Sequence, residues 1–178
     1  MNRAIQKLKN EHEIILSAVS HLNRLLSLIK ERALQKEIAD LLELFKEYID
    51  LCHNRKEEAV LFSELANSGV SKDDSPIGVL TEEHQREKKL LIQMTESFVN
   101  QNDYASFTAN AKEYMELIKI HILRENNILF PIAENILSNE KQDDVCKQFE
   151  KYEENAVGIG RYQALNEILA ALANKHTD

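Results

Sequence analysis

The sequence contains few of the residues that interrupt regular secondary structure. Among 178 residues there are 4 Gly, 2 Pro and no Trp. A sandwich or barrel of short strands needs a turn every ~8–12 residues, and Gly and Pro supply many of those turns. Their scarcity excludes that class of fold and favours long helices with few connections.

Long apolar runs and an excess of basic charge are also missing. No apolar run approaches the roughly 20 residues that span a bilayer, and the first residues do not resemble a signal peptide. The net charge is −8, which disfavours binding to a nucleic-acid backbone. Cys52 and Cys146 form no CxxC pair, and we expect them to be thiols. The sequence therefore predicts a cytoplasmic protein with neither a nucleic-acid nor a membrane partner.

Hydrophobic residues make up 43% of the chain, and they recur at intervals of three and four, which indicates amphipathic helices. A polar break at 67–76 divides the pattern, and Gly158 and Gly160 weaken its last segment. Pro131 is expected to bend the fourth helix. The predicted helices are 3–30, 34–66, 77–99, 103–137 and 142–174.

These helices predict an all-α fold in a single domain, 1–178. Long helices with short connections are typical of an up-down-up-down four-helix bundle, which we place at 3–137. The remainder, 138–178, is predicted to be a C-terminal extension formed by one extra helix, which covers the bundle or forms a homodimer surface.

The two predicted hairpins repeat one another. The segment LKNEH that ends at His12 matches LTEEH that ends at His84, and the segment after His53 matches the one after His121. The offsets are 72 and 68 residues, and the difference falls in the hairpin turns, where insertions are tolerated. Such a repeat predicts a site built by both hairpins with pseudo-twofold symmetry.

Each hairpin contains the pattern HxxxE, in which two residues four apart share one helix face. In an antiparallel hairpin, residues equidistant from the turn lie at one height, and this rule places a second histidine opposite each HxxxE pair. All four histidines lie on the apolar stripes of their helices, so we expect them to point inward. The candidate residues are His12, His53, Glu57, His84, His121 and Glu125.

A lone inward histidine is usually a hydrogen-bonded core residue, but two inward glutamates are harder to explain. A buried carboxylate is costly unless it is paired or binds a metal, and two close together do not both ionise without a cation. Four histidines and two glutamates exceed a closed zinc site. They suit two ions that share bridging carboxylates, with iron or manganese ahead of zinc.

Several neighbours of these residues receive secondary predictions. His21 lies nine residues after His12, about 900° around the helix, so we expect it in solvent. Glu11, Glu58 and Glu83 are expected at the surface or against the ligands from outside. Tyr114 most simply packs in the core, with a redox or gating role as the alternative, and Cys52 is expected to pack.

The complete pattern resembles the hemerythrin-like HHE cation-binding family over roughly residues 5–137. It comprises the four histidines and two glutamates, with Leu61-Phe62 and Leu129-Phe130-Pro131 after the HxxxE pairs. The resemblance implies an oxo- or hydroxo-bridged di-iron centre in a four-helix bundle. It also implies that the four histidines are terminal ligands and that Glu57 and Glu125 bridge the irons.

The sequence departs from the oxygen-carrying hemerythrins, which have five histidines, two of them four apart on the third helix. Here Lys88 stands four residues after His84, and Glu125 takes the place of an aspartate that follows its histidine by five residues. The set of ligands is closer to that of iron–sulfur cluster repair proteins and of iron-sensing hemerythrin-like domains. The departure argues against reversible oxygen carriage.

Three functions follow as hypotheses. The first is a non-haem di-iron protein that binds or reacts with O₂, NO or peroxide, in sensing or handling of oxidative or nitrosative stress. The second is an iron donor or sensor, or a repair protein, that acts without catalytic turnover. The third is a metal-free helical interaction module, which the internal repeat disfavours.

Overall fold

The computed structural model describes residues 3–29, 34–73 and 75–174, and in these ranges the only regular secondary structure is helical. This confirms the all-α class. Six helices cover most of the described residues. They are α1 (Arg3–Ser27), α2 (35–67), α3 (76–100), α4 (104–136), α5 (Asn139–Val157) and α6 (Arg161–Asn174). The first four agree with the predicted bounds to within three residues.

Helices α1 to α4 contact one another in a ring. Helix α1 contacts α2 and α4, and α3 contacts the same two helices. The turn between α3 and α4 is the predicted polar one. There Asn102 adopts a positive φ of 54°, and Asp103 accepts a hydrogen bond from the Ser106 backbone N–H, which caps α4.

The C-terminal extension differs from the prediction, because it contains two helices instead of one. Helix α5 ends at Gly158, and Gly158 and Gly160 have φ values of 95° and 74°. Residues with side chains rarely adopt such angles, so the two glycines permit the sharp turn into α6. Both helices contact α1 and the middle of α2. We call α5 and α6 together the C-terminal hairpin.

Three bundle helices contain wide π-helical turns, which the periodicity did not predict. They comprise Lys46–Asn54 and Glu57–Phe62 in α2, Glu96–Asn100 in α3 and Glu125–Leu129 in α4. Pro131 follows the last of them and lacks the N–H that would bond the Asn127 carbonyl. The preceding Phe130 N–H donates to the Glu125 carbonyl, which closes this wide turn. Such turns are frequent at functional sites.

The hydrophobic core consists of two clusters. One contains residues such as Ile15, Phe45 and Tyr114, and the other contains Leu8, Leu61 and Phe130. On α1 the two clusters are separated by Glu11 and His12, both buried. A buried polar layer therefore divides the core. In the described ranges, no helix is both long and apolar enough to cross a bilayer.

Candidate metal centre

The buried polar layer consists of the six residues identified by the HxxxE pattern and its partner histidines. All six are at most 4% exposed. Their ligand atoms form two groups, within each of which the atoms lie no more than 4.8 Å apart. The first group is His12, His53, Glu57 and Glu125, and the second is Glu57, His84, His121 and Glu125. The two glutamates therefore belong to both groups.

Each shared glutamate faces one histidine from each hairpin. The Oε2 atom of Glu125 lies 3.0 Å from His12 Nε2 and 3.3 Å from His121 Nε2. The Oε2 atom of Glu57 lies 3.7 Å from His53 Nε2 and 3.6 Å from His84 Nε2. Adjacent ligand atoms at ~2.1 Å from an ion are about 3.0 Å apart in octahedral and about 3.4 Å apart in tetrahedral coordination. The spacing is thus close to that of ligands around a shared pair of ions.

The Nδ1 atom of each histidine points away from this layer and contacts a polar partner. His53 Nδ1 lies 2.6 Å from Glu11 Oε2, and His121 Nδ1 lies 3.0 Å from Glu83 Oε2. The corresponding partners are Asn126 for His12, at 3.0 Å, and Glu58 for His84, at 2.8 Å. An acceptor at Nδ1 fixes the tautomer whose Nε2 lone pair faces inward, as in metal-ligating histidines.

These outer contacts follow the sequence repeat. The glutamate before the first histidine of a hairpin contacts the second histidine of the same hairpin. The residue after the shared glutamate contacts the first histidine of the other hairpin. Two rings repeat the symmetry as well, since Phe130 stacks on His12 at 5.3 Å and Phe62 stacks on His84 at 5.7 Å. The two hairpins therefore support the layer in the same way.

Several inward-facing atoms of the layer have no hydrogen-bond partner. They are His12 Nε2, His53 Nε2 and both carboxylate oxygens of Glu57 and Glu125. In addition, His84 Nε2 lies 3.0 Å from His121 Nε2, so one of these two nitrogens must carry a proton to avoid repulsion between lone pairs. Buried polar atoms without partners are costly, and a cation between them would satisfy all of these groups. The residues present therefore fit a metal.

The buried groups of the layer shift one another's pKa values strongly. Burial and Glu125 raise the pKa of Glu57 well above its usual range. Burial opposes ionisation of Glu125 too, but His121 outweighs it and holds the pKa of Glu125 well below its usual range. Burial lowers the pKa of His121, but Glu125 and Glu87 outweigh it and raise that pKa to about 10. The layer therefore brings together buried charges that a cation would compensate.

The prediction for His21 is wrong. Its side chain is buried, and Nε2 lies 3.0 Å from a carboxylate oxygen of Glu37 on α2. Helix α1 is buried on more than its bundle face, because the C-terminal hairpin also contacts it. His21 is nevertheless outside both groups of candidate ligands, so the prediction that it lies apart from the centre agrees with the structure.

The other neighbours lie at positions that the sequence left open. Glu11 and Glu83 are buried, and Glu58 is partly exposed; all three contact candidate ligands from outside, which was one of the two predicted alternatives. Tyr114 packs against Phe45 with ring centroids 5.8 Å apart, as predicted for a core residue. Cys52 is buried, and neither it nor Cys146 is in a disulfide.

Sequence reasoning missed a polar pair beside the layer. Glu87 is 2% exposed, and its Oε2 accepts a hydrogen bond from Asn54 Nδ2 at 2.9 Å. The other oxygen, Oε1, lies 3.9 Å from His121 Nδ1. Glu87 lies three residues after His84, and that spacing on an otherwise apolar face was the signal that could have identified it.

Lys56 was also missed. Its side chain is 0% exposed, and Nζ donates to Glu11 Oε1 at 2.6 Å and to Glu153 Oε1 at 2.7 Å. A buried lysine is rare unless paired. No local pattern could predict this burial, since Glu153 is 97 residues away in the sequence.

Fold and site together define a helical protein with a buried histidine–glutamate cluster of the kind that binds metal cations. The sequence model of the hemerythrin HHE cation-binding domain matches residues 3–133, most of the chain. The protein therefore belongs to the hemerythrin HHE family. The match ends within α4, before the C-terminal hairpin. No curated protein and no solved structure matches the chain.

Proposed function

We propose that this protein is a non-haem di-iron protein with an up-down-up-down hemerythrin bundle, and that its centre binds or reacts with O₂, NO or peroxide. One observation carries the proposal: two groups of four candidate ligands share Glu57 and Glu125. A shared carboxylate pair suits two ions better than one, and mixed imidazole and carboxylate donors suit iron. His12 and His53 would hold one ion, and His84 and His121 the other.

The chain's own residues would prepare the centre in three ways. Acceptors at Nδ1 keep the Nε2 lone pairs directed inward. The charges of Glu57 and Glu125 would offset those of the ions. The stacked rings of Phe62 and Phe130 cover the layer on one side. When bound, an iron pair supplies open coordination positions and accessible changes of oxidation state.

A small cavity beside the layer supports a ligand of very few atoms. Its volume is about 10 Å³, close to the room that one water molecule needs. The lining consists of four isoleucines, two of the candidate ligands and the buried polar pair: Ile15, Ile49, Ile118, Ile122, His53, His121, Asn54 and Glu87. A cavity of this size has no room for a bulky organic substrate, which leaves small molecules such as O₂, NO or peroxide.

The test is the metal content per chain of protein purified without chelators, read together with its visible spectrum. We expect about two irons per chain and a charge-transfer band that changes on exposure to NO or O₂. A bound iron that passes readily to a chelator without such a change would favour the iron donor or sensor. Absence of metal after reconstitution with iron would overturn the proposal.

A matched pair of variants tests the placement of the centre. His53→Ala and His21→Ala each remove a buried histidine, 2% and 1% exposed, so both are expected to destabilise the fold to a similar degree. Only His53 belongs to a group of candidate ligands. His53→Ala is expected to lose metal, whereas His21→Ala is expected to retain it. Equal metal content in the two variants would contradict the assigned site.

A further inference from the structure

The C-terminal hairpin breaks the symmetry of the two outer networks. In the first bundle hairpin, Glu11 contacts His53 and pairs with Lys56. At the equivalent position of the second hairpin, Glu83 contacts His121 and pairs with Arg124. Lys56 is 0% exposed, whereas the Arg124 side chain is 44% exposed. The two networks therefore have the same chemistry but different burial.

Residues of the C-terminal hairpin account for this difference. Glu153 of α5 accepts from Lys56 Nζ at 2.7 Å, and the Tyr162 hydroxyl of α6 donates to Glu11 Oε1 at 2.5 Å. The rings of Phe149 and Tyr162 lie 5.2 and 5.1 Å from Lys56 Nζ. All three of these residues lie beyond the stretch matched by the family, 3–133.

Glu11 is consequently held by three donors. Its Oε2 atom faces His53 Nδ1, and its Oε1 atom accepts from both Lys56 and Tyr162. A carboxylate fixed at both oxygens fixes in turn the ring that contacts it. Partners of this kind typically alter metal affinity by about 10- to 100-fold. In the other group of candidate ligands, His84 contacts Glu58, whose side chain is 38% exposed.

Other contacts attach α6 to the bundle independently of the Tyr162 hydroxyl. The Tyr48 hydroxyl donates to Asn166 Oδ1 at 2.6 Å, and Arg161 forms an ion pair with Glu47. Leu165 and Leu169 are fully buried in the core. Removal of a single hydroxyl from Tyr162 should therefore leave the hairpin in place.

We propose that the C-terminal hairpin positions one half of the metal centre, with Tyr162 and Glu153 acting through Glu11 and Lys56 on the imidazole of His53. The affinity for the ion held by His12 and His53 consequently depends on the C-terminal hairpin, whereas the affinity for the ion held by His84 and His121 does not. Tyr162, Glu153 and Lys56 are positioning residues that do not touch the ions. The inference rests on the proposed di-iron function.

The experiment compares Tyr162→Phe with the full-length parent protein. Anaerobic titration with Fe²⁺ gives the affinity of each binding step, and Mössbauer spectra give the environment of each iron. We expect one of the two binding steps to weaken about 10-fold and one of two iron environments to change, while the other step, the other environment and the helical content stay constant. A purely structural role of Tyr162 would not act selectively on one iron.

Three further variants accompany this comparison. Tyr152→Phe removes a hydroxyl from the same hairpin, at a partly buried position without a hydrogen bond to Glu11, and should leave both steps unchanged. Arg124→Gln removes the partner of Glu83 and should alter the other iron environment. Glu153→Gln removes the negative charge that pairs with Lys56. This variant should affect the same iron as Tyr162→Phe and leave the other iron unchanged.

The results separate this inference from the proposed function. If the parent binds two irons and Tyr162→Phe binds both with unchanged affinities and spectra, the positioning role is overturned while the di-iron function stands. Equal weakening of both steps would also overturn it, because positioning through His53 is selective. If the parent binds no iron at all, both proposals fail.

Discussion

At the scale of single residues, the centre depends on which atoms lack partners. The inward atoms of Glu57, Glu125, His12 and His53 find no hydrogen bond in the protein, whereas the outward Nδ1 atoms all contact acceptors or carboxylates. The same imidazole thus has one satisfied and one unsatisfied nitrogen. This arrangement costs stability without a cation and contributes binding energy with one.

The pKa shifts predict that metal binding releases protons. Without metal, the pKa of His121 is about 10 and that of Glu57 lies well above its usual range, so at pH 7 His121 holds a proton that must leave before Nε2 can bind an ion. Affinity for the metal should therefore rise as pH rises towards 10 and fall as pH is lowered. A pH-indicator dye in weakly buffered protein, titrated with Fe²⁺ without oxygen, measures the release.

Metal binding should release fewer protons in a variant that lacks the imidazole ring of His121. His121→Ala removes a group whose pKa is raised to about 10, so the number of protons per bound ion should fall in that variant. Metal binding by the parent protein with no proton release between pH 6 and 8 would contradict the assignment of charges in the layer.

At the scale of elements, the wide π-helical turns carry part of the centre. His53 lies within one such turn, and Glu57 and Glu125 each begin another. In a turn of this kind the hydrogen-bonded loop contains an additional residue, so it rotates the following side chains relative to a regular helix. The HxxxE spacing located these residues, but it could not predict the local widening that directs them.

The turn between α5 and α6 yields a prediction at this scale. Gly158 has a φ of 95° and a ψ of 158°, a combination that is essentially restricted to glycine and costs about 1–3 kcal/mol for other residues. Gly158→Ala should lower the free energy of unfolding by that amount, as measured by urea denaturation followed by circular dichroism.

Ile159 in the same turn provides the control. It is 89% exposed, so Ile159→Ala should change the free energy of unfolding by less than about 0.5 kcal/mol. Equal effects of the two substitutions would show that the backbone angle of Gly158 does not limit the stability of the turn.

At the scale of the whole molecule, the polar layer joins four helices and separates two hydrophobic clusters. An ion bound there would connect all four helices, and a ligand that binds only the folded state stabilises it by mass action. The C-terminal hairpin adds a second buried side to α1. A homodimer through this extension stays a prediction, as does the cytoplasmic location.

Metal should accordingly raise the melting temperature. At a free Fe²⁺ concentration 100 times the dissociation constant, each site should add about 2.7 kcal/mol to the free energy of unfolding. Differential scanning calorimetry without oxygen, with Fe²⁺ and then with an excess of chelator, measures this gain and its reversal. His53→Ala should show a smaller gain, and an unchanged melting temperature in the parent would contradict a site that binds only the folded chain.

The sequence by itself determined the four helices of the bundle and the inward set of candidate residues, because both depend on local spacing. A period of three to four residues specifies a helix face. In an antiparallel hairpin, residues at equal distances from the turn lie at the same height along the bundle. Those two rules are sufficient to bring His12, His53, His84 and His121 to one level of the bundle. The residues that contact the histidines from outside repeat with the same offsets of 72 and 68 residues: Glu83 corresponds to Glu11, and Asn126 corresponds to Glu58. The sequence analysis did not identify Asn126.

Only the tertiary structure decided what covers each face. His21 and Lys56 are polar and lie where the sequence pattern gave no reason for burial, yet both are buried. For Lys56 the cause lies in residues distant in the sequence, because the C-terminal hairpin packs against α2 and supplies Glu153 and Tyr162. For His21 the polar partner is Glu37 of α2. Local periodicity describes the face that a helix presents, whereas the packing of other helices determines whether water or protein meets that face.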